Sequence, residues 1–140
     1  MPGKQKKRLA GQSLKRELEA ASHGLVYVSE IDSPIGPIFE VPDANISIGT
    51  FVLESLSDGR GPMEERPSAD FFDRLTADRE WHSADNKTTV RRFRKLRKLM
   101  VGSLADLTMF RAGRVRIEIF VVGSDSEGNI AGIRTSAVET

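Results

Sequence analysis

Val115-Arg-Ile-Glu-Ile-Phe-Val-Val122 decides the fold of this chain. Its apolar residues first alternate with charged ones and then run without a break, a period-two pattern that belongs to a β-strand. Gly123-Ser-Asp-Ser-Glu-Gly128 has the composition of a turn, and Asn129-Ile-Ala-Gly-Ile-Arg-Thr-Ser-Ala-Val138 returns as the partner strand. Upstream, Leu107-Thr-Met-Phe110 is a third strand, set off by the turn residues Arg111-Ala-Gly-Arg114. The result is a C-terminal antiparallel β-meander whose last strand carries Glu139 and Thr140 with almost no tail beyond it.

Before the meander the periodicity changes to that of a helix. From about Lys87 to Ala105, Val90, Phe93, Leu96, Leu99, Met100 and Leu104 share one side, while Arg91, Arg94, Lys95 and Lys98 form the opposite stripe. A shorter helix is expected from Ser68, whose hydroxyl suits an N-cap, to Leu75; Thr76 to Asn86 is a polar connector carrying Trp81. Nearer the N-terminus, Leu14, Leu18 and Ala21 predict a helix over Ser13–Ser22, with Gly24 placed for the positive φ that ends it. Leu25-Val-Tyr-Val-Ser29 reads as a buried strand, and Ile38-Phe-Glu-Val41, with Pro34, Pro37 and Pro42 around it, as an edge strand. Residues 50–56 are expected as a further strand, and Ser57–Pro67 as a surface loop. Helices interleaved with strands make this an α/β protein: residues 1–12 are expected as a flexible basic arm and residues 13–140 as one domain.

A chain of 140 residues can bury roughly 68% of its unfolded surface. Its hydrophobic fraction of 39% and charged fraction of 29% suit a globular protein. There is no cysteine, which excludes disulfides, thiolate metal sites and a cysteine nucleophile. The basic start is not followed by an apolar stretch, so no signal peptide is expected, and no run spans a bilayer; the expected location is the cytoplasm. The net charge of +1 conceals segregation, with residues 21–85 strongly acidic and residues 1–20 and 86–100 strongly basic.

Signals for catalysis are lacking. His23 and His82 stand in unrelated contexts without metal-ligand spacing, and Gly123–Gly128 lacks the Lys-Ser/Thr of a phosphate loop. There is no Gly-x-Ser-x-Gly. The expectation is a protein that is not an enzyme, holds no cofactor and has no metal of its own, working by binding another macromolecule. Nucleic acid is one such partner: Arg91, Arg94, Lys95 and Lys98, with the basic residues at 4–8, can neutralise phosphates. Against it, the stripe also reads as the solvated face of an amphipathic helix, paired with the acidic block of residues 64–85. No nucleic-acid motif accompanies it, and stacking aromatics are scarce.

At its two strand-bearing ends the sequence resembles the nuclease A inhibitor-like proteins. Ala21-Ser-His-Gly-Leu-Val-Tyr-Val-Ser-Glu30 carries the likeness, and so does Arg111–Gly123 leading through Gly128 to Val138-Glu-Thr140. Phe71-Phe72, Glu80-Trp81 and the helix after them also fit, so that roughly residues 14–34 and 68–140 are covered. The resemblance implies a three-layer α-β-α sandwich that inhibits a sugar-nonspecific, Mg²⁺-dependent endonuclease by sitting in its active site. It also implies three contact residues, Glu30, Trp81 and the C-terminal Thr140. Thr140 would bring its hydroxyl and carboxylate oxygens near the nuclease's metal, Glu30 would accept from a phosphate-binding arginine, and Trp81 would anchor the interface. For such a mimic of nucleic acid, the acidic block should face the nuclease and the basic helix should face away. A fold of this kind can also serve another partner altogether.

Overall fold

The computed structural model describes residues 9–43, 46–57, 62–77 and 84–139, with side chains at 84 and 85 left aside. Trp81, His82, Thr140 and the basic residues of the N-terminal arm lie outside the described residues. The chain runs α1 (Gly11–Ser22), β1 (Val26–Val28), β2 (Asp32–Pro34), β3 (Gly36–Glu40), α2 (Ile48–Phe51) and a π-helical turn (Val52–Leu56). Then follow β4 (Met63–Pro67), α3 (Ala69–Thr76), α4 (Ala84–Ser103), β5 (Ala105–Ala112), β6 (Arg116–Ser124) and β7 (Ile130–Val138).

Strands β3-β7-β6-β5-β4 form one antiparallel sheet in that order, and β1 and β2 form a separate hairpin. Alternation along β6 assigns its two faces. Ile117, Ile119 and Val121 meet Leu14 and Leu18 of α1, Phe71 and Phe72 of α3, and Phe93, Leu96 and Met100 of α4. Phe120 and Val122 point the other way, onto Ile38, Phe110, Ile130 and Val52 of the π-helical turn. The continuous apolar run therefore marks where both faces are covered, because buried strands need no polar side. Glu118, on the same face nearer the start of β6, is half-buried and accepts from Ser136 Oγ at 2.6 Å. The architecture is the three-layer α-β-α sandwich, built around the expected meander.

Several elements depart from the sequence reading. Residues 50–56 are helical, not a strand: Ser47 Oγ accepts from Thr50 N–H at 3.2 Å, and Ile48, Phe51, Val52 and Leu56 share one face against the sheet. That spacing is helical, and burial of the face outweighs the β propensity of its members. Part of the expected loop is strand, since Met63–Pro67 pairs with Thr108–Ala112. Its exposed charges conceal the pattern, and they are what an edge strand uses to discourage pairing with another chain. Ser68 makes no side-chain cap; its carbonyl accepts from Phe71 and Phe72 N–H, while Arg66 reaches Asp70 at 3.6 Å. Helix α4 stops at Ser103, before Asp106 turns to a positive φ of 55° and the β5–β6 register shifts.

Two expectations about special residues hold. Gly24 ends α1 with φ +78°, and Pro37 lies on β3, an edge strand of the sheet. Gly132 answers a different need. A Cβ there would collide with the Val121 carbonyl, so glycine lets β7 lie close against β6.

Candidate functional site

Glu30 lies exposed in the turn Ser29-Glu-Ile31 that joins β1 to β2. Ser29 N–H donates to the Ile31 carbonyl at 2.9 Å and closes the turn. Tyr27, buried on the inner face of β1, stacks on Phe71 of α3 with ring centroids 5.5 Å apart, which fixes the hairpin to the helix layer. The hairpin continues along the outer edge of β7 where β3 leaves it. The last β3–β7 pair is Gly36 with Arg134; beyond it Thr135 Oγ1 donates to the Pro34 carbonyl at 3.1 Å, and Val138 N–H donates to Ser29 Oγ at 3.0 Å. Side-chain hydroxyls thus take over where strand pairing ends.

The end of β7 is held from its other side as well. Glu139 N–H donates to the Val115 carbonyl at 2.9 Å, and the Glu139 carboxylate accepts from Arg111 at 2.6 Å. Successive amides of a strand point in opposite directions, so Val138 is held by the hairpin and Glu139 by the β5–β6 turn. Beside this end lies a cleft of about 490 Å³, bordered by Met63, Glu64, Arg111, Gly113, Ile117 and Glu139. The hydrogen bond from Arg66 holds the Glu64 carboxyl below its ordinary range, so Glu64 is an anion there at neutral pH. A second cleft of about 530 Å³ separates the hairpin from the helices, with Val26, Val28, Leu75, Val90 and Phe93 on its walls and Asp32 at the hairpin side.

The structure brings the Glu30 turn together with the end of β7, beyond which Glu139 is the last described residue; Trp81 and Thr140 fall outside the described residues. Three residues of this end had no sequence signal of their own. Ser29 is an ordinary serine beside an acid, Arg111 lies among turn residues, and Val115 contributes only a carbonyl. Each matters through a partner distant in the chain.

The basic stripe lies on α4, whose first half borders the hairpin across the second cleft. Arg91, Arg94, Lys95 and Lys98 are exposed on α4, opposite the buried Val90, Phe93, Leu96 and Met100. Arg91 donates to Thr88 Oγ1 at 3.2 Å and Arg94 to the Thr76 carbonyl at 2.9 Å. The two arginines between them serve the fold. Arg92 donates to the carbonyls of Ala21 and His23 at the end of α1, and Arg97 pairs with Asp73 of α3 at 2.8 Å. Among the described residues, Arg97, outside the expected stripe, pairs with the acidic block through Asp73. Helix α4 ends beside the Ala105–Ser124 pair, whereas Arg116–Val138 is at the opposite end of the same strands. Lys98 accordingly lies toward the sheet end remote from Val138, whereas Arg91 lies in the half of α4 that borders the hairpin.

Among the described residues no three His, Cys, Asp or Glu side chains gather as a metal cage, and no helix is long and apolar enough to cross a membrane.

The fold and this end of it define a class: a three-layer sandwich that presents a hairpin turn and the firmly held end of β7 side by side. The family model NuiA, nuclease A inhibitor-like protein, matches residues 12–140. The chain belongs to that family, as its strand-bearing ends suggest. No curated protein matches it.

Proposed function

We propose that this chain is a non-enzymatic inhibitor, acting in the cytoplasm, of a sugar-nonspecific, Mg²⁺-dependent endonuclease. It blocks the nuclease's active site with the sheet end that carries Glu30 and the end of β7. The observation supporting this reading is the 3.0 Å bond from Val138 N–H to Ser29 Oγ. It makes neighbours of two segments, far apart in sequence, that both bear residues matching the family's contacts.

In this proposal Glu30 imitates a phosphate and accepts a bidentate bond from an arginine of the nuclease. Trp81 supplies a broad rigid anchor. This reading takes Thr140 as the C-terminal residue, whose hydroxyl and carboxylate are hard oxygens suited to the partner's Mg²⁺ or to a water on that ion. Charge at this end is mixed, since Glu64 is paired with Arg66 and Glu139 with Arg111 while Arg114 and Arg116 are exposed beside them, so this reading assigns the phosphate-like contact to Glu30 alone.

The test is an inhibition assay against purified nonspecific nucleases with three chains: unmodified, ending at Glu139, and extended by Gly-Ser after Thr140. Both alterations should weaken inhibition by about a hundredfold or more with little change in melting temperature. Unaltered inhibition constants in both would remove Thr140 from the metal-directed role.

The exposure of Arg91, Arg94, Lys95 and Lys98 on one helix face favours a second reading, a nucleic-acid-associated module. It requires retention on DNA or RNA at low salt, falling steeply as salt rises.

A further inference from the structure

Ser29 Oγ is a junction. It lies 3.3 Å from the Ile31 carbonyl and 3.4 Å from the Ile31 amide, both weak contacts within its own turn. Its shortest contact, 3.0 Å, leaves the turn altogether and receives the Val138 amide across 109 residues of chain. An amide at the free edge of a terminal strand normally bonds to water or to another strand. Here it is consumed by one serine hydroxyl, and Glu30 is the next residue along.

The neighbouring contacts show why that single bond has leverage. Toward β6, the end of β7 is fixed by the Val115 carbonyl and by Arg111, and these set its position relative to the meander alone. Toward the hairpin, Thr135 Oγ1 reaches the Pro34 carbonyl, but at the base of the hairpin, away from its tip. The bond at Ser29 joins tip to tip. The base of the hairpin and the Tyr27–Phe71 stack tie the Glu30 turn to the body, and β6 ties the end of β7 to the meander; the Ser29 bond spans the two tips.

We infer that Ser29 is a positioning residue: its hydroxyl holds the Glu30 turn in register with the end of β7, so that the acidic turn and this strand end meet the nuclease as one preorganised unit. This rests on the inhibitor reading above. Preorganisation raises affinity because the geometry is not assembled at the moment of binding. The hydroxyl is specifically required, since alanine leaves the Val138 amide without its acceptor and threonine retains one.

The experiment uses the full chain as Ser29→Ala and Ser29→Thr, with three readouts: melting temperature, amide hydrogen exchange over residues 134–139, and inhibition of a nonspecific nuclease. Loss of one backbone-directed bond should weaken inhibition by about tenfold in Ser29→Ala. Exchange at Val138 should quicken by a similar factor while the melting temperature moves by only about 3 °C. Ser29→Thr should restore both to within about threefold. Combined with removal of Thr140, Ser29→Ala should cost less than it does alone, because register to an absent residue has no value. Unchanged Val138 exchange in Ser29→Ala overturns the inference, and so does full additivity with the truncation. If the unmodified chain inhibits no such nuclease, the inhibitor reading fails instead, and the exchange result alone then judges the junction.

Discussion

Asp125 closes the β6–β7 turn, and its replacement by asparagine measures how far the fold depends on one carboxylate. The residue is 7% exposed, and its two oxygens accept from four N–H groups. Oδ1 accepts from the Glu127 and Asn129 backbones, both at 2.9 Å. Oδ2 accepts from Gly11 N–H at 3.0 Å and from Asn129 Nδ2 at 2.9 Å. Gly11 begins α1, so one oxygen pins a helix N-terminus to the turn, with negative charge at the positive end of the dipole. In Asp125→Asn an NH2 group replaces one oxygen and faces donors. Two charge-assisted bonds at about 1.5–3 kcal/mol each bound the loss, and partial rehydration at the turn reduces it to about 3 kcal/mol. Over 140 residues, an unfolding entropy of about 2.1 cal/mol/K per residue converts this to a drop in Tm of about 10 °C.

The same substitution has a pH signature. Burial pushes the Asp125 carboxyl up, but the donors on Gly11, Asn129 and Glu127 together outweigh it and hold it below the ordinary range. A carboxyl depressed in the folded state contributes stability that is present above its unfolded value of about 3.9 and is lost as pH falls through the folded value. The Tm gap between the unmodified chain and Asp125→Asn should therefore be steady from about pH 5 to 7 and narrow below about pH 4. Circular dichroism melts across that range measure it. A gap under about 2 °C at neutral pH, or one that does not shrink on acidification, refutes the assignment of that stability to the charged carboxylate. Inhibition should survive, because the turn adjoins Ser124 and Ile130, at the sheet end opposite Val138.

Phe120→Ala probes the far layer of the sandwich. The ring is fully buried beneath α2 and the π-helical turn, with the Arg134 guanidinium 5.0 Å from its centroid, so urea unfolding should report a loss of about 3–5 kcal/mol. Reversing Arg91, Lys95 and Lys98 to glutamate should abolish any low-salt retention on nucleic acid while leaving nuclease inhibition within about threefold.

The meander was legible because period two is a local property of β6 and β7, and α4 because its apolar and basic residues separate cleanly around one helix. The turn glycine at 24 was legible for the same reason, since a positive φ is demanded by the helix end next to it. Residues 50–56 and 63–67 were not. In the first, burial of Val52 against Phe120 settles a segment whose own propensity points to a strand; in the second, an edge strand with charges on both faces has no pattern to read.

The sequence alone determined that the chain is an α/β protein with a C-terminal β-meander, and its resemblance to the nuclease A inhibitor-like family marked Glu30, Trp81 and Thr140 as residues to watch. Which face each helix covers, and that the Glu30 turn lies against the end of β7, only the tertiary structure decided. The reason is physical: a hydroxyl and an amide 109 residues apart leave no trace in local periodicity, and they become one junction only when the sheet and hairpin pack.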